Sequence, residues 1–164
     1  MKNFTLEAAL KRQALKQQKQ LKLAETIKKL DMALIKHSGI DDIDLNEPYF
    51  FEDIEIMIRL CEIDGNLLSK ASIKLKRSIA LVIVACRQTP SAFVHAGNFI
   101  KSSKCLVQAI VNQYPGTFQF IPEKFRNDEK IAWIAARYDF SLLQYTSEEI
   151  QKKLTLLNEP EMGA

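Results

Sequence analysis

Turn-forming residues are scarce in this chain: only 5 of its 164 residues are glycine and 5 are proline. An all-β sandwich or barrel needs many tight turns built from these residues, so such a fold is disfavoured. No stretch of about 18 apolar residues occurs, so no membrane-spanning helix is predicted. The opening segment MKNFTLEAALKRQ lacks the apolar core of a secretory signal peptide. We therefore expect a cytoplasmic protein.

Residues suited to chemistry are equally few. The three cysteines, Cys61, Cys86 and Cys105, are an odd number without CxxC spacing, which favours free thiols in a reducing compartment. Neither His37 nor His95 has a partner at metal-ligand spacing. The sequence also contains no glycine-rich phosphate loop and no GxSxG motif. It thus predicts no metal, no cofactor and no catalytic residue, and an enzyme with an unrecognised site is the least favoured alternative.

Helix-forming residues dominate what is present. Leu, Ile, Ala, Lys, Glu and Gln are abundant, and all but Ile are strong helix formers. Hydrophobic residues make up 47% and charged residues 26%, as in ordinary globular domains. The net charge of +3 is unevenly spread: residues 1–40 hold nine Lys and Arg against three Asp and Glu, a net +6, which leaves −3 for the remainder. A basic leading segment therefore precedes a mildly acidic body.

The chain matches itself at an offset of 25 residues without gaps. We number positions from 1 within each repeat. The repeats are LLSKASIKLKRSIALVIVACRQTPS (67–91), AFVHAGNFIKSSKCLVQAIVNQYPG (92–116) and TFQFIPEKFRNDEKIAWIAARYDFS (117–141), followed by a fourth that begins at Leu142 and ends early. The segment 49–66 falls in the register of a preceding repeat, with Asp53 at the capping position.

The repeated positions predict two helices per unit. Positions 2, 5 and 9 are mostly apolar and lie on one helical face, and position 12 (Ser78, Ser103, Asp128) is a helix N-cap. Positions 15, 18 and 19 form the inward stripe of the second helix; they hold Leu81, Leu106 and Ile131, then Val84, Ala109 and Ile134, then Ala85, Ile110 and Ala135. The proline in TPS and YPG stops that helix. Position 20 holds Cys61, Cys86 and Ala136, which indicates a small packing site.

These units predict an all-α fold. Each helix pair cannot bury its apolar stripe alone, so neighbours must cover it. We expect a right-handed or irregular, solenoid-like stack of about four 25-residue helix-pair repeats, preceded by a long N-terminal helix. The predicted division is a basic helix over 1–40 and a repeat domain over 41–164.

The segments FRNDEKIAWIAARYDFS and LLQYTSEEI resemble a short helical repeat of unknown function that occurs in tandem in effector-type proteins of intracellular bacteria. The likeness is good over 117–153, moderate over 67–116 and weak before that. It implies a helical stack and a role in host interaction, and it provides no catalytic residue to transfer. The tail SEEIQKKLTLLNEPEMGA is similar to the glutamate-containing signals read by type IV secretion, which would place the protein inside a host cell.

The leading helix has an apolar stripe only in its second half, at Leu23, Ile27, Leu30 and Leu34. It is predicted to dock through that half and to end at Ser38-Gly39. Its candidate basic surface comprises Lys11, Arg12, Lys16, Lys19 and Lys22. The favoured interpretation is a solvated face on a helix that caps the stack. The alternatives are that this surface contacts anionic lipid, nucleic-acid phosphates or a partner helix.

Position 4 of each repeat holds Lys70, His95, Phe120 and Tyr145. In a stack these side chains would align along one surface, where they either pack between units or bind a partner. Trp133 is a second candidate anchor, because it follows the inward Ile131 by two residues and tryptophan is enriched at binding hot spots.

The favoured function is therefore a noncatalytic interaction module: an effector, or a regulator or inhibitor of one, that binds a host protein or another bacterial effector. The alternative is a nucleic-acid or anionic-membrane adaptor that uses the basic N-terminal helix.

Overall fold

The computed structural model describes the backbone of residues 2–158 and the side chains of residues 7–157. The α-helices are α1 (Lys2–Lys36), α2 (Ile54–Ile63), α3 (Ile79–Gln88), α4 (Asn98–Ser102), α5 (Lys104–Gln113), α6 (Glu123–Arg126), α7 (Glu129–Ala136) and α8 (Glu148–Asn158). Between them lie 3₁₀ helices at Pro48–Glu52, Gly65–Lys70, Leu75–Arg77, Pro90–His95, Pro115–Phe120 and Phe140–Tyr145. The described chain contains no β-strand. The prediction of an all-α repeat stack is confirmed.

Each repeat is a 3₁₀ helix, a short helical turn and a longer α-helix, rather than two simple helices. The 3₁₀ helix ends because position 5 adopts an extended backbone, with ψ of 147° at Ala71 and 158° at Ile121. In the third repeat Pro122 enforces this, since a proline excludes the helical conformation from the residue before it. The prediction of one continuous first helix was therefore wrong. Positions 2, 5 and 9 are nevertheless buried in the three full repeats.

The prolines have two roles. They follow the last residue of α3 or α5 by two positions, as predicted, but Pro90 and Pro115 are also the first residues of the next 3₁₀ helices. Proline suits this position because its missing N–H would have no helical partner there.

The buried stripe of the longer helices is wider than predicted. Positions 15, 16, 19 and 20 face the core; in the first repeat these are Leu81, Val82, Ala85 and Cys86, all fully buried. Position 18 was assigned wrongly, because Ala109 is exposed there and Val84 and Ile134 are only half-buried. Each longer helix contacts both the 3₁₀ helices and a neighbouring helix, so its apolar face spans two contact directions.

Close backbone contacts join the repeats. A Cβ atom on Gly65 would lie 2.2 Å from the carbonyl oxygen of Ala85, so only glycine fits at the start of that 3₁₀ helix. The Gly97 N–H donates to the Lys76 carbonyl at 2.8 Å, and the Ser72 N–H donates to the Phe51 carbonyl at 2.9 Å. These two bonds link position 6 of one repeat to position 10 of the preceding one and fix the stacking register.

The capping residues behave as predicted with one exception. Asp53, Ser78 and Asp128 accept hydrogen bonds from backbone N–H groups of α2, α3 and α7. Ser103 makes no such bond. The prediction that Ser103 caps α5 through its side chain was therefore wrong.

The second half of helix α1 covers α2, in the segment that precedes the first full repeat. Leu30 and Ala33 are buried, Leu23 and Ile27 pack on the core, and Asp31 pairs with Arg59 of α2. Side chains 7–21 are all exposed. The helix ends at Lys36, two residues before the predicted end at Ser38-Gly39. His37 adopts the left-handed conformation with φ of 50°, and the His37 and Ser38 N–H groups donate to the carbonyls of Leu34 and Ala33.

Candidate interaction surfaces

The four position-4 residues lie on successive 3₁₀ helices, which contact one another in series. His95 and Phe120 are half-buried, Lys70 is exposed, and Tyr145 is 37% exposed. The Lys70 ammonium lies 5.9 Å from the centre of the Phe51 ring. Arg126 donates to the Tyr145 carbonyl at 3.0 Å. Lys70 and Tyr145 therefore each contact the residue at position 10 of the preceding repeat. These two residues pack between repeats and are also exposed at the surface.

Trp133 lies on a different row. It is at position 17 of the third repeat, on α7, and is 38% exposed. The five candidate partner-binding residues are thus split between the 3₁₀ row and the row of longer helices. The fold therefore does not bring all five residues together in one contiguous site.

A groove of about 360 Å³ separates α5 from α7. Cys105, Gln108, Ala109 and Asn112 of α5 line one wall, and Ile134 of α7 lines the other. Trp133 directly precedes Ile134 in the chain. Lys130 and Arg137 are three residues before Trp133 and three after Ile134, and both are exposed. Residues spaced by three and four share a helix face, so two cations flank the Trp–Ile pair.

The basic candidates of α1 are partly engaged within the chain. Lys11 pairs with Glu7 at 2.9 Å, and the Lys19 ammonium lies 4.5 Å from the centre of the Tyr49 ring. Lys22 donates to Glu47 at 3.1 Å, and this hydrogen bond raises the pKa of the Lys22 ammonium above its ordinary value. Arg12 and Lys16 form no ion pair among the described side chains.

A recurring basic position escaped the sequence analysis. Position 10 of the three full repeats holds Lys76, Lys101 and Arg126, whose side chains donate to the position-3 carbonyl seven residues earlier, at 2.7, 3.1 and 3.3 Å. Each thereby satisfies a carbonyl that the preceding 3₁₀ helix leaves free at its end. The signal was present in the sequence as a basic residue at one position of every full repeat.

The cysteines divide by environment. Cys61 and Cys86 are fully buried at position 20, which confirms the packing prediction. Burial raises the pKa of both thiols to about 12, so neither supplies a thiolate near neutral pH. Cys105 is exposed in the α5–α7 groove, whose lining includes no histidine and no carboxylate.

A cavity of about 650 Å³ lies where α1 meets the following linker. Met32, Ala33 and Ile43 contribute its apolar surface. Its charged lining residues carry both signs, with Lys28, Lys29 and Lys36 opposed by Glu25, Asp41 and Asp42. This balance provides no charge selectivity for a ligand. In the described part of the chain, no three His, Cys, Asp or Glu side chains converge as metal ligands would.

No helix within residues 2–158 has the length and apolarity needed to cross a bilayer. Comparison with curated proteins and with solved structures finds no match. A family described as "Domain of unknown function (DUF4116)" matches twice in tandem, at residues 53–101 and 103–151. Each match covers about two of the 25-residue repeats, so the family's unit is twice the offset found in the sequence. Because the two matches together span more than half of the chain, this protein belongs to the DUF4116 family of tandem helical repeats.

Proposed function

We propose that this protein is a noncatalytic interaction module that binds a protein partner through the outer face of α5 and α7. The observation that carries the proposal is the partly exposed Trp133 beside the groove that Ile134 lines. Large amphipathic side chains next to a groove are the usual anchors of protein interfaces, because they bury much apolar area with little loss of rotamer freedom.

The scaffold beneath this face supports binding without large rearrangement. Ala132, Ala135 and Ala136 are buried on the inner side of α7, and Asp128 caps the helix while it pairs with Lys104 of α5. Helices that are already ordered lose less conformational entropy on association.

The charges around the groove favour a partner of complementary sign. Lys130 and Arg137 flank the Trp–Ile pair and form no ion pair among the described side chains. The neighbouring acids Asp128 and Glu129 are already paired with Lys104 and Lys153. A partner that presents an apolar side chain between carboxylates fits this face, since complementary charge speeds association and selects the partner.

The setting of the interaction is also part of the proposal. The resemblance of residues 117–153 to repeats of bacterial effectors supports a host protein or another effector as the partner. The glutamate-containing tail supports export, although its residues 159–164 lie outside the described part of the chain. A translocation reporter fused to the full chain, compared with a fusion that lacks 147–164, tests this point. Equal or absent delivery of both fusions would contradict it.

The binding test is capture of partners from host-cell lysate on the immobilised full chain. We expect a specific protein to be retained by the wild type and by a chain lacking residues 2–22, and to be lost from Trp133→Ala. Phe140→Ala is the matched control, because Phe140 is a similarly exposed aromatic outside the groove. Retention that depends on residues 2–22 instead would favour the basic-helix adaptor.

A further inference from the structure

The central repeats carry a concentrated positive charge. It does not appear when the net charge is summed over residues 1–40 and over the whole remainder of the chain. Residues 65–126 contain nine Lys and Arg against one acid, Glu123, a net charge of +8. No Asp or Glu occurs at all between residues 65 and 122. The acids that make the body negative overall lie before this segment, where 41–64 carries −8, and after it.

Most of these cations lie along one edge of the stack, formed by the 3₁₀ helices and the short helical turns. We call this the central basic edge. Its cations are Lys70, Lys74, Lys76, Arg77, Lys101, Lys124 and Arg126, at positions 4, 8, 10 and 11 of the repeats. Contacts between repeats hold this edge together: the Gly97 N–H bonds to the Lys76 carbonyl, and the Arg77 guanidinium lies 5.6 Å from the centre of the Phe99 ring.

The charge of this edge is not neutralised within the chain. Of the nine cations in 65–126, only Arg87 and Lys104 pair with a carboxylate among the described side chains, and neither belongs to the central basic edge. Lys76 and Lys101 donate to backbone carbonyls, which are neutral, so these bonds position the ammonium groups without cancelling their charge.

Exposed apolar side chains lie among these cations. Ile73 is 83% exposed and directly precedes Lys74 in the chain. Phe99 is 56% exposed beside Arg77, and Val94 is 46% exposed at the carbonyl that Lys101 contacts. Single exposed hydrophobic residues are common, but three of them each next to an unpaired cation form a mixed basic and apolar surface.

We propose that the central basic edge binds the surface of an anionic bilayer. Such surfaces attract polybasic segments through their headgroups and accept apolar side chains at the boundary with the acyl chains. This goes beyond protein binding at α5 and α7 and uses different residues. A bilayer fits better than nucleic acid, because Ile73 and Val94 have no ring on which a base could stack, and Arg77 covers one face of Phe99.

The test is co-sedimentation of the full chain with vesicles. One set contains phosphatidylcholine alone, and the other contains equal parts of phosphatidylcholine and phosphatidylserine. We expect binding to the mixed vesicles only, and weaker binding as salt is added. Lys74→Glu combined with Lys101→Glu should reduce the binding at least about tenfold, because each cation near an anionic surface contributes about fivefold. Lys74 is exposed and Lys101 is half-buried, so circular dichroism checks that the variant remains folded.

Two further variants make the result specific. Arg12→Glu combined with Lys16→Glu makes the same charge change on the exposed half of α1, and it should reduce binding less than the first pair does. Ile73→Ser leaves the charge unchanged and should weaken binding about tenfold through lost apolar insertion.

Three results would overturn the proposal: equal binding to both vesicle types, equal loss from the α1 pair and the central pair, or binding to a single-stranded oligonucleotide through Lys74 and Lys101 with none to vesicles. The last result would assign the edge to nucleic acid instead.

Discussion

The leading helix and the central repeats are both basic, yet their charges are arranged differently. In residues 7–21 of α1 the side chains are exposed all around the helix, and Lys11 is paired with Glu7. In the central repeats, Lys76 and Lys101 are held at fixed places by carbonyls of the preceding 3₁₀ helices. A helix with no buried side chain distributes its charges around its axis, whereas a stack collects charges from several short elements on one edge.

We expect the two regions to differ also in how far they depend on tertiary packing. A long helix satisfies most of its own backbone hydrogen bonds, so the first half of α1 needs no partner to be helical. The 3₁₀ helices of six residues and the short turns are too short to persist alone, and they depend on burial of positions 2, 5 and 9. Substitutions in the stack should therefore affect unfolding strongly, and substitutions in the first half of α1 should not.

The largest expected effect is at the centre of the stack. Phe93 is fully buried at position 2 of the second repeat, so Phe93→Ala removes a ring and leaves a cavity. We expect a loss of about 3–5 kcal/mol in the free energy of unfolding, measured by urea denaturation. Phe99→Ala, at the mostly exposed ring, is the control and should change it by less than about 0.5 kcal/mol. Similar effects of both would refute the assignment of Phe93 to the core.

A smaller effect is expected at the helix caps. Asp128→Ala removes the cap of α7 and the ion pair with Lys104, and we expect a loss of about 1–2 kcal/mol by the same measurement. Ser103→Ala is the matched control at the same repeat position and should have almost no effect, because Ser103 makes no side-chain cap bond. A comparable loss from the control would show that Ser103 caps α5 in solution.

The contribution of Asp128 should also depend on pH. Partial burial raises the pKa of its carboxyl, but hydrogen bonds from Lys104 and from the backbone N–H groups of Ile131 and Lys130 outweigh it, so the net pKa is lower than usual. The ionised form is thus favoured in the folded state. Its stabilisation is present above the unfolded pKa of about 3.9 and disappears as pH falls through the folded pKa. The difference between wild type and Asp128→Ala should shrink at acidic pH.

A modest gain is expected where α1 ends. His37 occupies a left-handed conformation that favours glycine, so His37→Gly relieves an unfavourable backbone geometry. We expect a gain of about 0.5–1 kcal/mol, since the relief exceeds the added flexibility of the unfolded chain. Thermal unfolding followed by circular dichroism measures it. His37→Ala, which keeps the Cβ atom, should give no such gain.

The smallest effect on the stack is expected in the exposed half of α1. Ala14→Pro should lower the helical signal but leave the unfolding midpoint of the repeats unchanged, because residues 7–21 make no buried contact. Ala33→Pro is the matched control in the docked half, where Ala33 is buried. It should destabilise the protein by about 3 kcal/mol or more. A shifted midpoint for Ala14→Pro would show that the first half of α1 also stabilises the stack.

The sequence predicted the repeat well and the internal form of each unit less well. Burial at Leu68, Phe93 and Phe118 followed directly from the 25-residue offset. The break after position 5 did not, since only Pro122 marks it clearly. The exposure of Ala109 was also missed, because alanine is compatible with buried and exposed sites alike. Trp133, predicted only as a candidate anchor, is partly exposed. Its separation from the position-4 residues could not be predicted, because it depends on how the helices of each repeat stack.

The amino-acid pattern alone specified helices, their repetition, and most of the caps, because these depend on local propensity and on apolar spacing along the chain. Which cations share a surface was decided only when the repeats stacked. Arg77, Lys101 and Lys124 belong to three different repeats, and they lie on one edge because backbone contacts such as that of Gly97 with Lys76 hold successive repeats in register. The surface charge of this protein is therefore a property of its stacking rather than of any one segment.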